Sequence, residues 1–270
     1  PLLTGGHLSA IPIDPSGGVD TNGTGYYISQ SSNTPSISSY NNETRNIGLG
    51  PCPPTIKDLR DGNVYKTVQI GTQCWMAENL RAIQYTNGEA IPTGHSNAEW
   101  SELSTGAYAV YDHTLISGID SEQQMISMYG LLYNGYAAKD DRGICPTGWR
   151  VSTDTDWKTL EMYLGMTEAD ANTTDWRYSG DVGKKLKYHL RNPDNQDAGH
   201  PRWDYNATHY GIDSVGFSAL SGGYRNDSDG VFYNLGAHGH WWSYDGATSY
   251  RRFLYSGYSG VRRSTFNERN

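Results

Sequence analysis

Three cysteines, four phenylalanines and 19% charged residues are little for a chain of 270. Low charge beside 12% aromatics excludes a disordered chain, which would be rich in charge and poor in rings. Ala, Glu, Lys and Leu do not dominate, so a long-helix architecture is excluded too. No apolar run approaches the roughly 20 residues that span a bilayer. The chain opens without Met and without the charged and apolar regions of a signal peptide, and so reads as a processed product or an excised fragment. No G-x-S-x-G, H-E-x-x-H or C-x-x-C occurs, which removes the common hydrolase and zinc signatures. Basic residues are outnumbered 21 to 29, a formal charge of -8 that repels nucleic acid and anionic lipid. The basic clusters, Lys184, Lys185 and Lys187, then Arg251, Arg252, Arg262 and Arg263, are too short for a nucleic-acid arm.

What is abundant is glycine (32) and tyrosine (21), the profile of a loop-rich fold with short strands. Residues 1–50 are rich in Ser, Thr, Asn and Gly and read as a separate polar or linker segment, with residues 51–270 as the main domain. Within the first segment, GTGYYIS is the best strand, through Tyr26, Tyr27 and Ile28. VYKTVQIG (64–71) alternates Val64, Lys66, Val68 and Ile70 against Tyr65, Thr67 and Gln69, a strand paired through the Asp61-Gly62 turn. YGLLYNGYAA (129–138) is apolar enough to be a buried strand or helix. VSTDTDWKTLEMYLG is the clearest helix. Ser152 or Thr153 caps it, Asp154 and Asp156 suit its positive end, and Trp157, Leu160 and Leu164 share a face ahead of Gly165. Short glycine-punctuated strands follow: 216–225, 230–236, 239–245 and 250–257. The pattern predicts an α+β domain with one or two helices against mostly antiparallel strands.

DGNVYKTVQIGTQCWMAENLR, GAYAVYD, YGLLYNGYAA, CPTGWRVSTDTDWKTL, GFSALSGGYR and GHWWSYD, in this order, resemble the Fibrobacter succinogenes major paralogous domain family of bacterial secreted and surface proteins. The resemblance runs from about Cys52 to the C-terminus. It implies a C-type-lectin-like fold, including the formylglycine-generating type, with Gly148, Arg150, Ser152, Thr153 and Trp157 in a shared strand-to-helix segment. The family pattern continues past STFNERN into a strand of the form GFSVRC. The resemblance therefore implies that Cys145 pairs with a cysteine on that last strand, beyond Asn270, and that Cys52 pairs with Cys74. The alternative is three buried thiols in a reducing compartment. Upstream, HLSAIPIDPSGGVDTNGTGYYIS is similar to the segment after the long helix of type IV pilins and pseudopilins, through Leu8, Ile11, Pro12, Asp14 and Pro15. That implies an apolar helix cut away or lying upstream.

For chemistry, Asp154 and Asp156 read as helix-start residues rather than a catalytic pair. The lectin-like oxidases need a reactive cysteine pair late in the chain, and none follows Cys145, so no enzyme is expected. In GHWWSYDG, strand alternation turns one of Trp241 and Trp242 outward. That ring, with Tyr244, Asp245, Arg225, Asn226 and Asp229, suits stacking on a sugar whose hydroxyls bond the polar groups; the alternative is that both tryptophans fill the core. His238 and His240 lack further metal ligands. Asp14, Asp20 and Asn22 form a weak calcium candidate of hard oxygens, without EF-hand order; no other cofactor is expected. The N-x-S/T triplets at Asn22, Asn42, Asn172, Asn206 and Asn226 read as chance in an Asn/Thr-rich surface. The expectation is an extracellular, non-enzymatic surface protein: the exposed part of a pilin-like or anchored filament subunit, in adhesion or filament building. Its partners would be other subunits or copies of itself, and glycans. The alternative is a carbohydrate-binding module of a secreted polysaccharide-degrading system.

Overall fold

The computed structural model describes residues 52–189 and 199–265, together with the backbone of three short strands before them. In chain order the strands and helices are β1 (Tyr27–Ser29), β2 (Ile37–Ser38), β3 (Thr44–Arg45), β4 (Thr55–Lys57), β5 (Val64–Ile70), β6 (Gln73–Met76), α1 (Asn97–Glu102), β7 (Tyr108–Ala109), α2 (Glu122–Tyr129), β8 (Leu132–Tyr133) and α3 (Gly135–Ala138). Then come β9 (Arg150–Val151), α4 (Asp154–Tyr163), α5 (Glu168–Asn172), β10 (Asp175–Arg177), α6 (Val182–Leu186), β11 (Gly222–Arg225), β12 (Phe232–Leu235), β13 (His238–Tyr244), β14 (Ser249–Tyr255) and β15 (Val261–Thr265). One sheet runs β4-β5-β6-β1-β9 and a second β10-β15-β14-β13, with three two-stranded pairs beside them, and every paired strand is antiparallel. The domain is α+β, and no helix among the described residues is long and apolar enough to cross a membrane.

Among the described residues there are six α-helices rather than one or two, most of them of one or two turns. The eight-residue α2 grows out of a stretch whose composition reads as polar loop; Ser121 caps it by accepting from the Gln124 N–H. YGLLYNGYAA holds both alternatives, strand β8 and then α3. β1 lies between β6 and β9, with Ile28 opposite both Trp75 and Arg150, so this piece of the first 50 residues belongs to the larger sheet. β5 departs from simple alternation. Its first residues pair with β4 across the Asp61-Gly62 turn and its last with β6, and the inward side changes between the two halves. Tyr65 is buried, with its hydroxyl accepting from the Arg81 N–H, while Val64 is 50% exposed. Cys52 and Cys74 form a disulfide with their Cα atoms 5.4 Å apart, fastening the chain ahead of β4 to β6. Cys145 is buried and free, and burial pushes its thiol well above its ordinary range.

α4 organises the core. Thr153 and Asp156 form a reciprocal capping box, and Arg150 grips Asp156 at 2.7 Å. Trp157 then meets Trp75, Phe217 and Trp241 with ring centroids 5.4–6.3 Å apart. Such tilted and edge contacts suit the ring quadrupoles. The edge of the same face carries charge inward, Asp154 and Glu161 lying one turn before and one turn after Trp157. Asp154 bonds Arg252 (2.8 Å) and Arg263 (2.7 Å), and Glu161 bonds Arg177 (2.6 Å) and Arg252 (2.8 Å). Burial alone would raise Asp154, but bonds and charge from Arg263 and Arg252 outweigh it and hold the carboxyl well below its usual range. Lys187, fully buried after α6, donates to the carbonyls of His209 (2.5 Å), Tyr258 (2.9 Å) and Tyr255 (3.1 Å).

Candidate functional site

β13 and β14 pair in full register, with His240 opposite Phe253, Trp241 opposite Arg252, and Trp242 opposite Arg251. Facing residues share a side of the sheet, so His240, Trp242, Arg251 and Phe253 stand on one side, and Trp241 and Arg252 on the other. The first side, together with β8, β11 and α1, encloses a partly open cavity of about 60 Å³. Trp100, Tyr133, Tyr224 and Trp242 form aromatic walls, and Asn79, Arg225, His240 and Arg251 are the polar members. No carboxylate, thiol, amine or serine hydroxyl is among the lining residues.

Arg225 is placed from three directions. Its Nε donates to the Gly230 carbonyl (2.8 Å) and its Nη2 to the His95 carbonyl (2.7 Å) and Asn97 Oδ1 (3.3 Å). Its guanidinium also lies 4.5 Å above the Trp100 ring. Two glycines make this possible. Gly230, at φ +68°, approaches Asn97 so closely that a Cβ would stand 2.0 Å from that carbonyl, and Gly223, at φ +67°, would drive one against the Tyr233 carbonyl. The three acceptors on Arg225 are neutral oxygens, so no carboxylate offsets its charge there; burial lowers its pKa. Burial, and next the neighbouring Arg262, pull Arg251 down to about 10. Two arginines and no carboxylate are among the lining residues.

Several groups around it are unmatched. Asn79 donates through Nδ2 to the Tyr129 carbonyl, but its Oδ1 has no partner in the protein. Trp100 Nε1 is buried and donates to nothing. Neither ring nitrogen of His240 has a partner; the ring stacks on Phe253 at 4.6 Å. Burial, then Arg251 and His238, hold His240 well below its ordinary pKa, so it is neutral at pH 7 and offers one donor and one acceptor. A buried polar atom without a partner costs on the order of 1–3 kcal/mol, and four such atoms on three lining residues ask for an explanation.

The residues singled out for a sugar site are divided by the structure. Trp241, Trp242 and Arg225 line the cavity. Both tryptophans are buried, so the outward ring expected from alternation is covered: Trp241 joins the core, and Trp242 donates through Nε1 to the Tyr133 carbonyl. Asp245 lies in the exposed turn after β13, accepting from the Ala247 and Thr248 N–H groups, and Tyr244 donates to the Gly246 carbonyl. Asn226 accepts from the Ser228 N–H, and Asp229 from the Val231 N–H and the Tyr233 hydroxyl. These four close turns outside the cavity lining. Asn79, Trp100, Tyr133, Tyr224, His240 and Arg251 also line it, and none of them is among the residues expected to meet a sugar. Consecutive arginines on a strand were the one available signal, because alternation must send them to different surroundings. The calcium candidates Asp14, Asp20 and Asn22 lie outside the described residues, as does the pilin-like stretch before Tyr27. Among the described residues no three His, Cys, Asp or Glu side chains are grouped to hold a metal.

Neither a curated protein nor a solved structure matches the chain. The Fibrobacter succinogenes major domain matches residues 68–267, from the middle of β5 through the cavity strands to β15. The chain belongs to the Fibrobacter succinogenes major domain family.

Proposed function

We propose that this chain is the exposed recognition part of a bacterial cell-surface protein, on a C-type-lectin-like fold, which adheres without catalysis by holding a substituent of a carbohydrate in the β11–β13 cavity. The observation that carries this reading is the cavity itself: four aromatic walls around unmatched polar atoms, the usual make-up of a small-ligand site. A volume of about 60 Å³ is too small for a sugar ring but accepts one group projecting from it. Tyr224 and the part-exposed Tyr233, paired across β11 and β12 with centroids 5.8 Å apart, supply a surface on which the ring can lie. A lining without carboxylate, thiol or amine suits binding rather than turnover. The Cys52–Cys74 disulfide fits an oxidising, extracellular setting. The same geometry serves an adhesin or a binding module attached to a polysaccharide-degrading enzyme. Filament building draws on the pilin-like stretch outside the described residues, so the site speaks for adhesion.

Saturation-transfer NMR against a panel of neutral and acidic mono- and oligosaccharides tests it. Saturable binding that falls in Tyr224→Ala is expected. A folded protein that binds no member of the panel overturns the reading.

A further inference from the structure

The aromatic surface beside the cavity continues past Tyr224. That ring lies nearly parallel to His238, with 9° between their planes and centroids 6.0 Å apart. His238 leads to Phe253 at 4.6 Å, and Phe253 to Trp176 at 5.1 Å. Trp176 in turn lies 22° from the plane of Tyr178, at 6.2 Å. Strand register explains the path. Phe253 and Trp176 both stand opposite Arg262, across β14, β15 and β10. Their neighbours Arg252, Arg263 and Arg177 turn toward α4, so this row faces the other way. Two near-parallel ring pairs thus stand at the ends of a strip, joined by Phe253. Each pair is braced edge-on, His238 by Tyr255 at 90° and Trp176 by Tyr258 at 89°.

The strip is open yet held in place. Tyr178 is 49% and Tyr258 39% exposed, Tyr224, His238, Trp176 and Tyr255 are half-buried, and Phe253 forms a buried floor. A contiguous row of large rings left to solvent marks a binding surface more often than a lone exposed ring does. Rings locked by their neighbours lose little freedom when a ligand settles on them.

We infer that this strip is a second sugar station, and that the ligand is a neutral polysaccharide chain of several pyranose units, running from the cavity across β13 and β14 to Trp176 and Tyr178; the choice rests on the carbohydrate reading above. Continuity carries it. Tyr224 is a wall of the cavity and also the first ring of the strip, so a chain seated at one lays its next units over the other. The members fit the chemistry of a pyranose, which has flat faces of C–H groups and a rim of hydroxyls. The C–H groups meet the negative faces of the rings. Four of the rings are tyrosines, whose phenol O–H both donates and accepts. At the far station charge is matched within the protein, Arg262 lying 2.9 Å from Asp175, which favours a neutral chain over an acidic one. Once one unit is seated, contact of the same chain with the other station is intramolecular, so the two stations reinforce each other.

The test is NMR titration of the whole chain with the mono-, di-, tetra- and hexasaccharides of the β-1,4-linked glucose, mannose and xylose series. The variants are Trp176→Ala and the more exposed Tyr178→Ala, each checked for folding by its melting curve. In one series at least, affinity is expected to rise roughly tenfold or more from mono- to hexasaccharide. Both variants should lose most of that rise and keep the affinity for the monosaccharide. Equal affinity at every length overturns the strip and leaves the carbohydrate reading standing. So does binding of acidic sugars alone. Binding of no sugar of either kind overturns both. A length dependence intact in both folded variants overturns the placement on Trp176 and Tyr178. Sedimentation equilibrium supplies the remaining outcome: a dimer that Trp176→Ala dissociates, with no length dependence, overturns the sugar and gives the strip to a second copy of the chain.

Discussion

Arg251 and Arg252 are consecutive residues of β14, and the strand turns them to opposite sides. Arg252 enters a closed cluster in which two carboxylates of α4 are shared among three guanidiniums, with every member nearly inaccessible to water. Arg251 faces the cavity, where its strongest charged neighbour is another arginine. The two sides teach how one residue type serves two ends. Buried charge that holds the fold together is matched inside the chain, because an uncompensated ion in low dielectric costs several kcal/mol. At the cavity, Arg225 is held by neutral oxygens and by the Trp100 ring instead.

The largest effect is expected where the closed cluster loses a shared carboxylate. Glu161→Gln leaves Arg177 with no carboxylate bond and takes one from Arg252, and should cost about 3–5 kcal/mol by urea denaturation. A loss under about 1 kcal/mol would place the cluster's worth elsewhere. Arg225→Gln sharpens the contrast: it removes bonds to neutral oxygens and the contact with the Trp100 ring but no carboxylate partner, and should cost less, about 1–3 kcal/mol in the same assay. Next in size, reducing the Cys52–Cys74 disulfide should cost about 3 kcal/mol, since it closes a loop of moderate length in the unfolded chain. The smallest effect is a pH slope. The Asp154 carboxyl releases its proton more readily folded than unfolded, so on acidification the unfolded chain takes up a proton first. Its contribution is complete above about pH 4 and fades as the pH falls toward the folded value. Asp154→Asn should flatten that part of the stability curve, measured by melting between neutral pH and pH 2.

What was legible in the sequence was local. α4 announced itself through a capping residue, acidic first-turn residues and apolar spacing, and the short C-terminal strands through glycine punctuation. α2 carried the quieter signal of Ser121 three residues ahead of Gln124, with little apolar periodicity to draw attention. The parity change in β5 follows from having two different partners, which a single strand does not record. Asp154 and Glu161 look like surface residues of a helix until Arg177, Arg252 and Arg263 arrive from strands far along the chain. The cavity is the same kind of tertiary product. Trp242 and Arg225 could be found from an aromatic strand beside a polar turn, whereas Asn79, Trp100 and Arg251 meet them only once segments more than a hundred residues apart are folded together.

Lys187 carries a consequence for how the molecule opens. Its single Nζ, which burial pulls down to about 7, reaches a carbonyl 22 residues ahead and three others 68, 69 and 71 residues ahead. Both stretches, the turn at His209 and the end of β14 with the turn after it, would fray separately if held only by their own backbone. Tied to one nitrogen, they form a cooperative unit, because loosening one strips bonds from a buried amino group that the other must then satisfy alone. Amide hydrogens around His209 and around Tyr255–Tyr258 are therefore expected to exchange together, when α6 undocks.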